Sequence, residues 1–352
     1  MLSAVKGLIL LPVKQSDKKA QSKSNLLVSR AHLLWLLRSF FHQEGFLEIE
    51  VPSVVYSPGL EPQLDAFEVK TIYAQQVNPA RRWLHTSPEY ALKRFLGTEG
   101  SGVNRVYALS SCFRDELPSM SHSPEFTMLE WYARDLSLEQ LMTQCEKLIR
   151  HLAQEANSLG FSQGSWLSSE EFERLSVREA FVRYAGIDLE LCSEVDQLRI
   201  AAQEAGIRTS ALHGEWDELY FQVFMDLVEP HLGKTQPTFL YNFPSSQAAL
   251  AKLEPTDPRW ARRFELFISG IELANAFDEL SDPQEQRVRF EDDLRVRYER
   301  QAQTPPIDEL LLQSLPKLGD CVGIALGFDR LMMLLLDCSD INQVRLQSWS
   351  QP

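Results

Sequence analysis

The chain has little of what would assign it quickly. Its five cysteines (Cys112, Cys145, Cys192, Cys321, Cys338) are odd in number and widely spread, with no C-x-x-C pair. That excludes a disulfide framework and a cysteine-based zinc site, and it points to a cytoplasmic setting. No apolar run approaches the roughly 20 residues of a membrane-spanning helix, so no membrane partner is expected. The short apolar run at 8–13 is followed by Lys14, Lys18, Lys19 and Lys23 instead of a small-residue cleavage site, and residues 1–27 read as a frayed or disordered tail. Positive charge is also in deficit. With 35 Lys and Arg against 49 Asp and Glu, the net charge is −14, which excludes a general attraction to phosphate backbones but not a local basic patch. Repeats, heptads and low-complexity tracts are absent.

What is present is enough apolar sequence for a core of normal size, in 352 residues. Leu33, Leu36, Leu37, Phe40 and Phe41 form an amphipathic stripe that predicts a helix ending at Gly45, and 46–51 alternates toward Pro52 as a short strand would. Short strands follow across 62–84, with a turn near Asn78 and Pro79. Ser87 and Pro88 open a helix whose Leu92, Phe95 and Leu96 face inward. Ser137 with Gln140 reads as a capping box for a long apolar-faced helix. From 155 to 236 the text becomes a mainly helical insertion without evident chemistry. Strands resume at 238–241 and 264–280, Asp282–Pro283–Glu285 starts another helix, and 323–336 is a glycine-spaced strand running into an apolar helix. Strands follow one another more than they alternate with helices, so the expected fold class is α+β: an antiparallel sheet flanked by helices.

The densest chemistry lies at 113–132, FRDELPSMSHSPEFTMLEWY. If 126–132 is a strand, Phe126, Met128, Glu130 and Tyr132 share one face, placing a carboxylate among aromatics. Two readings stand on these residues alone: a plain hairpin whose charge is paired elsewhere, or a binding face.

Three distant segments together resemble the signature motifs of class II aminoacyl-tRNA synthetases. The helix and strand ending at Pro52 resemble the dimer-forming first motif. Phe113, Arg114, Glu116 and Phe126 resemble the second, and Gly323, Gly327, Asp329 and Arg330 the third. TSPEY at 86–90, HSPEFTMLEWY at 122–132 and GIELANAFDEL at 270–280 are similar to the lysyl subgroup, and the likeness runs from about residue 28 to 345. A lysyl-tRNA synthetase carries an anticodon-binding barrel before its first motif. Here that motif begins about 28 residues in, which implies a catalytic domain over 28–352 and no tRNA partner. This truncated form resembles the elongation factor P β-lysine ligases, as do FPSSQAALA at 243–251 and Ala325, where lysyl synthetases usually have glycine. The likeness implies ATP and (R)-β-lysine as substrates, Mg²⁺ as cofactor, elongation factor P as protein acceptor, and a homodimer.

Adenylation by a carboxylate that is already anionic needs no general base, so positioning and charge cancellation must carry it. Arg114 suits the α-phosphate as a bidentate cation. By resemblance, Phe126 and Arg330 sandwich adenine, Glu116 meets its edge, His122 meets the phosphates, and Asp115, Ser123, Glu272, Leu273 and Gly327 complete the ATP site. Arg114 and Arg330 are the catalytic pair, and Glu272 and Glu279 the carboxylates for Mg²⁺. Ser87, Pro88, Glu89, Glu130, Tyr132, Glu279 and Ala325 line the amino-acid site, whose negative charge fits a diamine. Ser123 replaces the family's usual asparagine, Ala276 a frequent glycine, and the loop ELPSMSH differs from the usual glycine-bearing one. Two alternatives stay open: an adenylate maker with another acceptor (tRNA or a small amine), and a regulatory subunit without catalysis.

Overall fold

A computed structural model describes residues 22–70, 81–100, 102–161, 166, 171–208 and 214–349. Its first element is helix α1 (Lys23–Gln43), capped by Ser22, whose side chain accepts from Asn25 N; Gly45 closes it at φ 77°. The helix therefore begins inside the tail expected over 1–27, because Ser22 supplies a cap that the apolar stripe alone did not reveal; the rest of that tail and the turn near Asn78 and Pro79 lie outside the described residues.

After α1 come β1 (Leu47–Glu48), β2 (Val54–Val55), β3 (Glu68–Val69), β4 (Arg82–Leu84) and helix α2 (Glu89–Gly97). The long hairpin is β5 (Arg105–Phe113) and β6 (Glu125–Ala133), followed by α3 (Leu138–Ser158) with its Ser137–Gln140 capping box. The stretch expected as a helical insertion does hold short helices, α4 (Val177–Ala180), α5 (Val195–Glu204) and α6 (Trp216–Val223). It also contributes a strand, β7 (Glu173–Ser176), to the main sheet. Then follow β8 (Thr238–Pro244), β9 (Leu253–Glu254), β10 (Asp257–Ile268), β11 (Ile271–Asp278), α7 (Pro283–Glu299), α8 (Glu309–Leu318), β12 (Val322–Gly327) and α9 (Phe328–Leu335).

Among the described residues the main sheet has nine strands in the order β1-β5-β6-β12-β11-β10-β8-β7, with β9 on β10. It is antiparallel except at its two edges, where β1 joins β5 and β7 joins β8 in parallel. The fold is α+β.

Alternation along β6 divides the molecule. Leu129, Trp131 and Ala133 enter the apolar cluster built with Leu33, Leu37 and Phe41 of α1 and with α3, and Trp131 Nε1 donates to Gln144 Oε1 at 3.0 Å. Tyr132 enters a different cluster, with Leu92 and Leu96 of α2 and Leu311 and Leu315 of α8. The helices α2 and α8 thus roof the face of the sheet that carries Glu130.

Candidate active site

Cross-strand partners in an antiparallel pair share a face, so the register spells out the floor of the site. Glu130 pairs with Ala108 on β5 and with Ala325 on β12, and Ala325 in turn pairs with Asn275 on β11. One step along, Tyr132, Gly323 and Phe277 form the next row. Glu279 lies two residues beyond Phe277 and keeps its parity.

Four ionisable groups meet above this floor. Glu130 is wholly buried; Ser87 Oγ donates to its Oε1 at 2.6 Å and Tyr132 Oη to its Oε2 at 3.1 Å. Glu89 N donates to Ser87 Oγ at 3.0 Å, which fixes the hydroxyl at the mouth of α2. One turn along α2, Lys93 Nζ stands 2.5 Å from Glu89 Oε1 and 2.5 Å from Glu279 Oε2. Lys93 is 1% exposed and Glu279 0%. Burial alone would lower the Lys93 ammonium, but Glu279 and Glu89 more than reverse this. Burial pushes Glu279 up while Lys93 pulls it down. The ion pair compensates the two buried charges, although the Glu279 oxygens make no hydrogen bond among the described residues. Reading by motif missed Lys93. Its signal was there: residues 89, 92, 93, 96 and 97 all lie on the buried stripe of α2.

Burial, then repulsion from Glu89, pushes the Glu130 carboxyl up to about 8. Its pKa is above the ordinary 4.5, so the folded state holds the extra proton, and its contribution to stability falls as pH rises from about 4.5 toward 8. An ammonium ligand needs the ionised form, so affinity should rise over the same window. Melting temperatures between pH 5.5 and 8.5 are expected to decline, less steeply in Glu130→Gln; equal slopes would count against this assignment.

On the other flank, Arg114 lies with its guanidinium carbon 5.0 Å from the Phe126 ring centroid. Arg330 is turned elsewhere: Nε donates to Ser121 O at 3.2 Å, Nη1 to Glu272 O at 2.7 Å, and Nη2 to His122 Nε2 at 2.6 Å. Arginine only donates, so His122 Nε2 accepts, and its Nδ1 carries the proton toward Ser119 Oγ (3.0 Å) and Ser121 Oγ (3.1 Å). Burial and the Arg330 charge keep His122 below its ordinary pKa, in keeping with a neutral ring. Arg114 covers one face of Phe126, because the β6 register leaves Phe126 directly beside the turn that Arg114 starts.

The remaining residues fall around these two flanks. Pro88 is the N-cap of α2, Gly327 that of α9, Leu273 and Ser123 are buried, Glu116 is half-buried and Asp115 is exposed. The expected Mg²⁺ pair is not brought together. Seven residues is an odd separation, which the one-residue register shift opposite Glu272 offsets, so burial and not strand parity sets the two carboxylates apart. Glu272 is exposed, whereas Glu279 is sealed against Lys93. The donor set does not fit one ion held by both, and among the described residues no group of three or more His, Cys, Asp or Glu is arranged around a metal.

Two cationic side chains on one flank and a buried acidic pocket on the other suit an anionic nucleotide and a cationic amino acid. The family described as tRNA synthetases class II (D, K and N) matches residues 13–348. An elongation factor P (R)-β-lysine ligase of Pectobacterium carotovorum is 38% identical over 331 residues, covering 94% of this chain and 96% of the relative. The chain belongs to this ligase family, within the class II synthetases. Ligases of the same description from Photorhabdus laumondii and Klebsiella pneumoniae are each 38% identical over 320 residues, 90% of this chain and 93% of theirs. The protein is thus an enzyme of the ligase type, with ATP as a substrate. No helix among the described residues is long and apolar enough to cross a membrane.

Proposed function

We propose that this chain joins (R)-β-lysine to AMP and passes it to a lysine side chain of elongation factor P. The observation that carries the reading is the buried pocket of Glu89, Glu130 and Glu279 beside Arg114 and Arg330, in a chain whose relatives bear that ligase name. In the first step a carboxylate oxygen of the amino acid attacks the α-phosphorus of ATP and pyrophosphate leaves; Arg114 cancels charge on the α-phosphate. In the second, the acceptor amine loses a proton, attacks the acyl carbon and releases AMP. Arg330, tied to Glu272 O and His122, steadies the nucleotide end, with Glu116, Asp115, Ser123, Phe126, Leu273 and Gly327 around the base and phosphates. Glu272 is the carboxylate that would hold a Mg²⁺ ion together with phosphate oxygens of the nucleotide, and the ion would supply neutralisation of phosphate charge.

Ser87 and Pro88 place the mouth of α2 at the amino-acid site. Glu130 with Tyr132 takes an ammonium of the substrate, and the Ala325 methyl, in register with Glu130 and Asn275, shapes the floor. One methyl in a tight pocket is worth about 1–3 kcal/mol. Ala325→Gly is expected to raise kcat/KM for α-lysine relative to (R)-β-lysine; an unchanged ratio would remove this role. A cytoplasmic homodimer paired through α1, whose Trp35 and Val28 are exposed, completes the reading, without tRNA as acceptor.

Mass spectrometry of elongation factor P after incubation with the protein, ATP and each lysine isomer tests the proposal. A mass gain of one β-lysyl group is expected with the (R)-β isomer. Pyrophosphate exchange without any mass gain would mean another acceptor, and no exchange with either isomer would mean a subunit without catalysis.

A further inference from the structure

Glu61 has no part in the chemistry described so far, yet it sits between the two flanks of the site. Its loop, residues 57–65, is pinned at both. Thr86 Oγ1 donates to Pro58 O at 2.7 Å on the amino-acid side, and Asp115 N donates to Asp65 O at 2.8 Å on the nucleotide side. From behind, the buried Arg297 of α7 donates to the carbonyls of Glu61 and Leu64, both at 2.7 Å, and to Asp65 Oδ1 at 3.0 Å. A loop with so many anchors fixes where its side chains go.

The Glu61 carboxylate lies against the start of the Thr86–Glu89 segment. A Cβ built on Gly59 would stand 2.6 Å from Glu61 Oε2 and 2.9 Å from Thr86 Oγ1, so the two oxygens flank one point. Gly59 has φ 129°, where a side chain would be strained in any case. The charges that act on Glu61 are Glu89 on one side, then Arg114 and Arg297. Its Oε2 is buried and has no hydrogen-bond partner among the described residues. Buried carboxylate oxygens are ordinarily satisfied, and one left open between Arg114 on the nucleotide side and Glu89 of the acidic pocket suits a cation that arrives with the ligand.

We propose that Glu61 receives the substrate ammonium nearest the carboxyl carbon, while Glu130, with Ser87 and Tyr132, receives the distal one. The assignment rests on the function proposed above. A 3,6-diaminohexanoate whose carboxylate meets the α-phosphate beside Arg114 carries its first ammonium two carbons away, on the Glu61 side, and its second three carbons further, toward Glu130. Tyr90 Oη, buried and equally without a partner among the described residues, supplies the competing explanation: Glu61 could exist to accept from Tyr90, in which case it would act on stability and not on substrate choice.

Analogues that lack one amine separate these accounts. With the full-length protein, pyrophosphate exchange gives kcat/KM for (R)-β-lysine, and inhibition of that exchange gives Ki for 3-aminohexanoate and 6-aminohexanoate. In Glu61→Gln, kcat/KM for β-lysine should fall at least tenfold and Ki for 3-aminohexanoate should rise by a similar factor, with Ki for 6-aminohexanoate changed less than twofold. Glu130→Gln should give the mirror pattern. Equal changes for both analogues in Glu61→Gln would overturn the inference, as would a lowered melting temperature with unchanged selectivity. Glu61→Asp, which keeps the charge and shortens the reach, gives the same readout should Glu61→Gln fail to fold. Wild-type protein that exchanges pyrophosphate with α-lysine and not with (R)-β-lysine would refute the substrate reading itself, a result distinct from selectivity failure in the variants.

Discussion

Gly323→Ala is expected to cost roughly 100-fold in kcat/KM for the amino acid, the order produced by displacing a positioned group by about 1 Å, with little change in the apparent affinity for ATP. Gly323 sits in β12 opposite Tyr132 on β6 and Phe277 on β11. A Cβ there would fall far inside contact distance of both Tyr132 Cε1 and Glu279 Oε1. Neither can step aside. Tyr132 is 2% exposed and packed among Leu92, Leu311 and Leu315, and Glu279 is 0% exposed and closed on Lys93. The strand must bow or Tyr132 must turn, and either movement takes Tyr132 Oη from Glu130 Oε2. Overpacking of this kind also costs about 1–3 kcal/mol of stability. Gly102→Ala, where a Cβ meets nothing within 4 Å, is the control for adding a methyl. Steady-state kinetics with each substrate varied in turn would check the split; an equal loss toward ATP and amino acid would point to general unfolding instead.

The sequence made the frame of this site readable and left its wiring hidden, for reasons that differ from residue to residue. The alternation of Phe126, Met128, Glu130 and Tyr132 was visible because β6 is regular along its whole length, and its pairing with β5 runs without a register shift. The Ser137 capping box was visible because both of its partners lie within four residues. Strand β7 was not visible. It has four residues inside a helical stretch and is held by β8 in parallel, a pairing decided by contacts more than 60 residues apart. The relation of Glu272 to Glu279 was unreadable too, since a bulge resets the alternation that a count of residues assumes. Arg114 and Arg330 could be assigned to the nucleotide side by type, but the stacking of Arg114 on Phe126 depends on the path of the loop at 114–124.

Lys93 is the group whose loss should be felt most widely. It looks like a surface lysine, four residues after Glu89 in a helix, where such pairs contribute only about 0.3–0.5 kcal/mol. The fold puts it under the pocket instead, and there it holds two carboxylates at 2.5 Å each. Removing one partner of a buried ion pair leaves an uncompensated charge and costs about 3–5 kcal/mol. Lys93→Met is therefore expected to lower stability by that amount and to weaken the amino acid strongly, because Glu89 and Glu279 would then repel each other beside Glu130. The double variant Lys93→Met with Glu279→Gln removes the stranded charge along with its partner and should recover a large part of the stability. Urea denaturation of the four proteins in the cycle measures the coupling. Additive losses would mean that the two side chains do not act as a pair. Recovery of stability without recovery of amino-acid binding would locate the role of Lys93 in the pocket itself: by engaging Glu279 and one oxygen of Glu89, it limits the negative charge left for the substrate and so sets how many ammonium groups the site accepts.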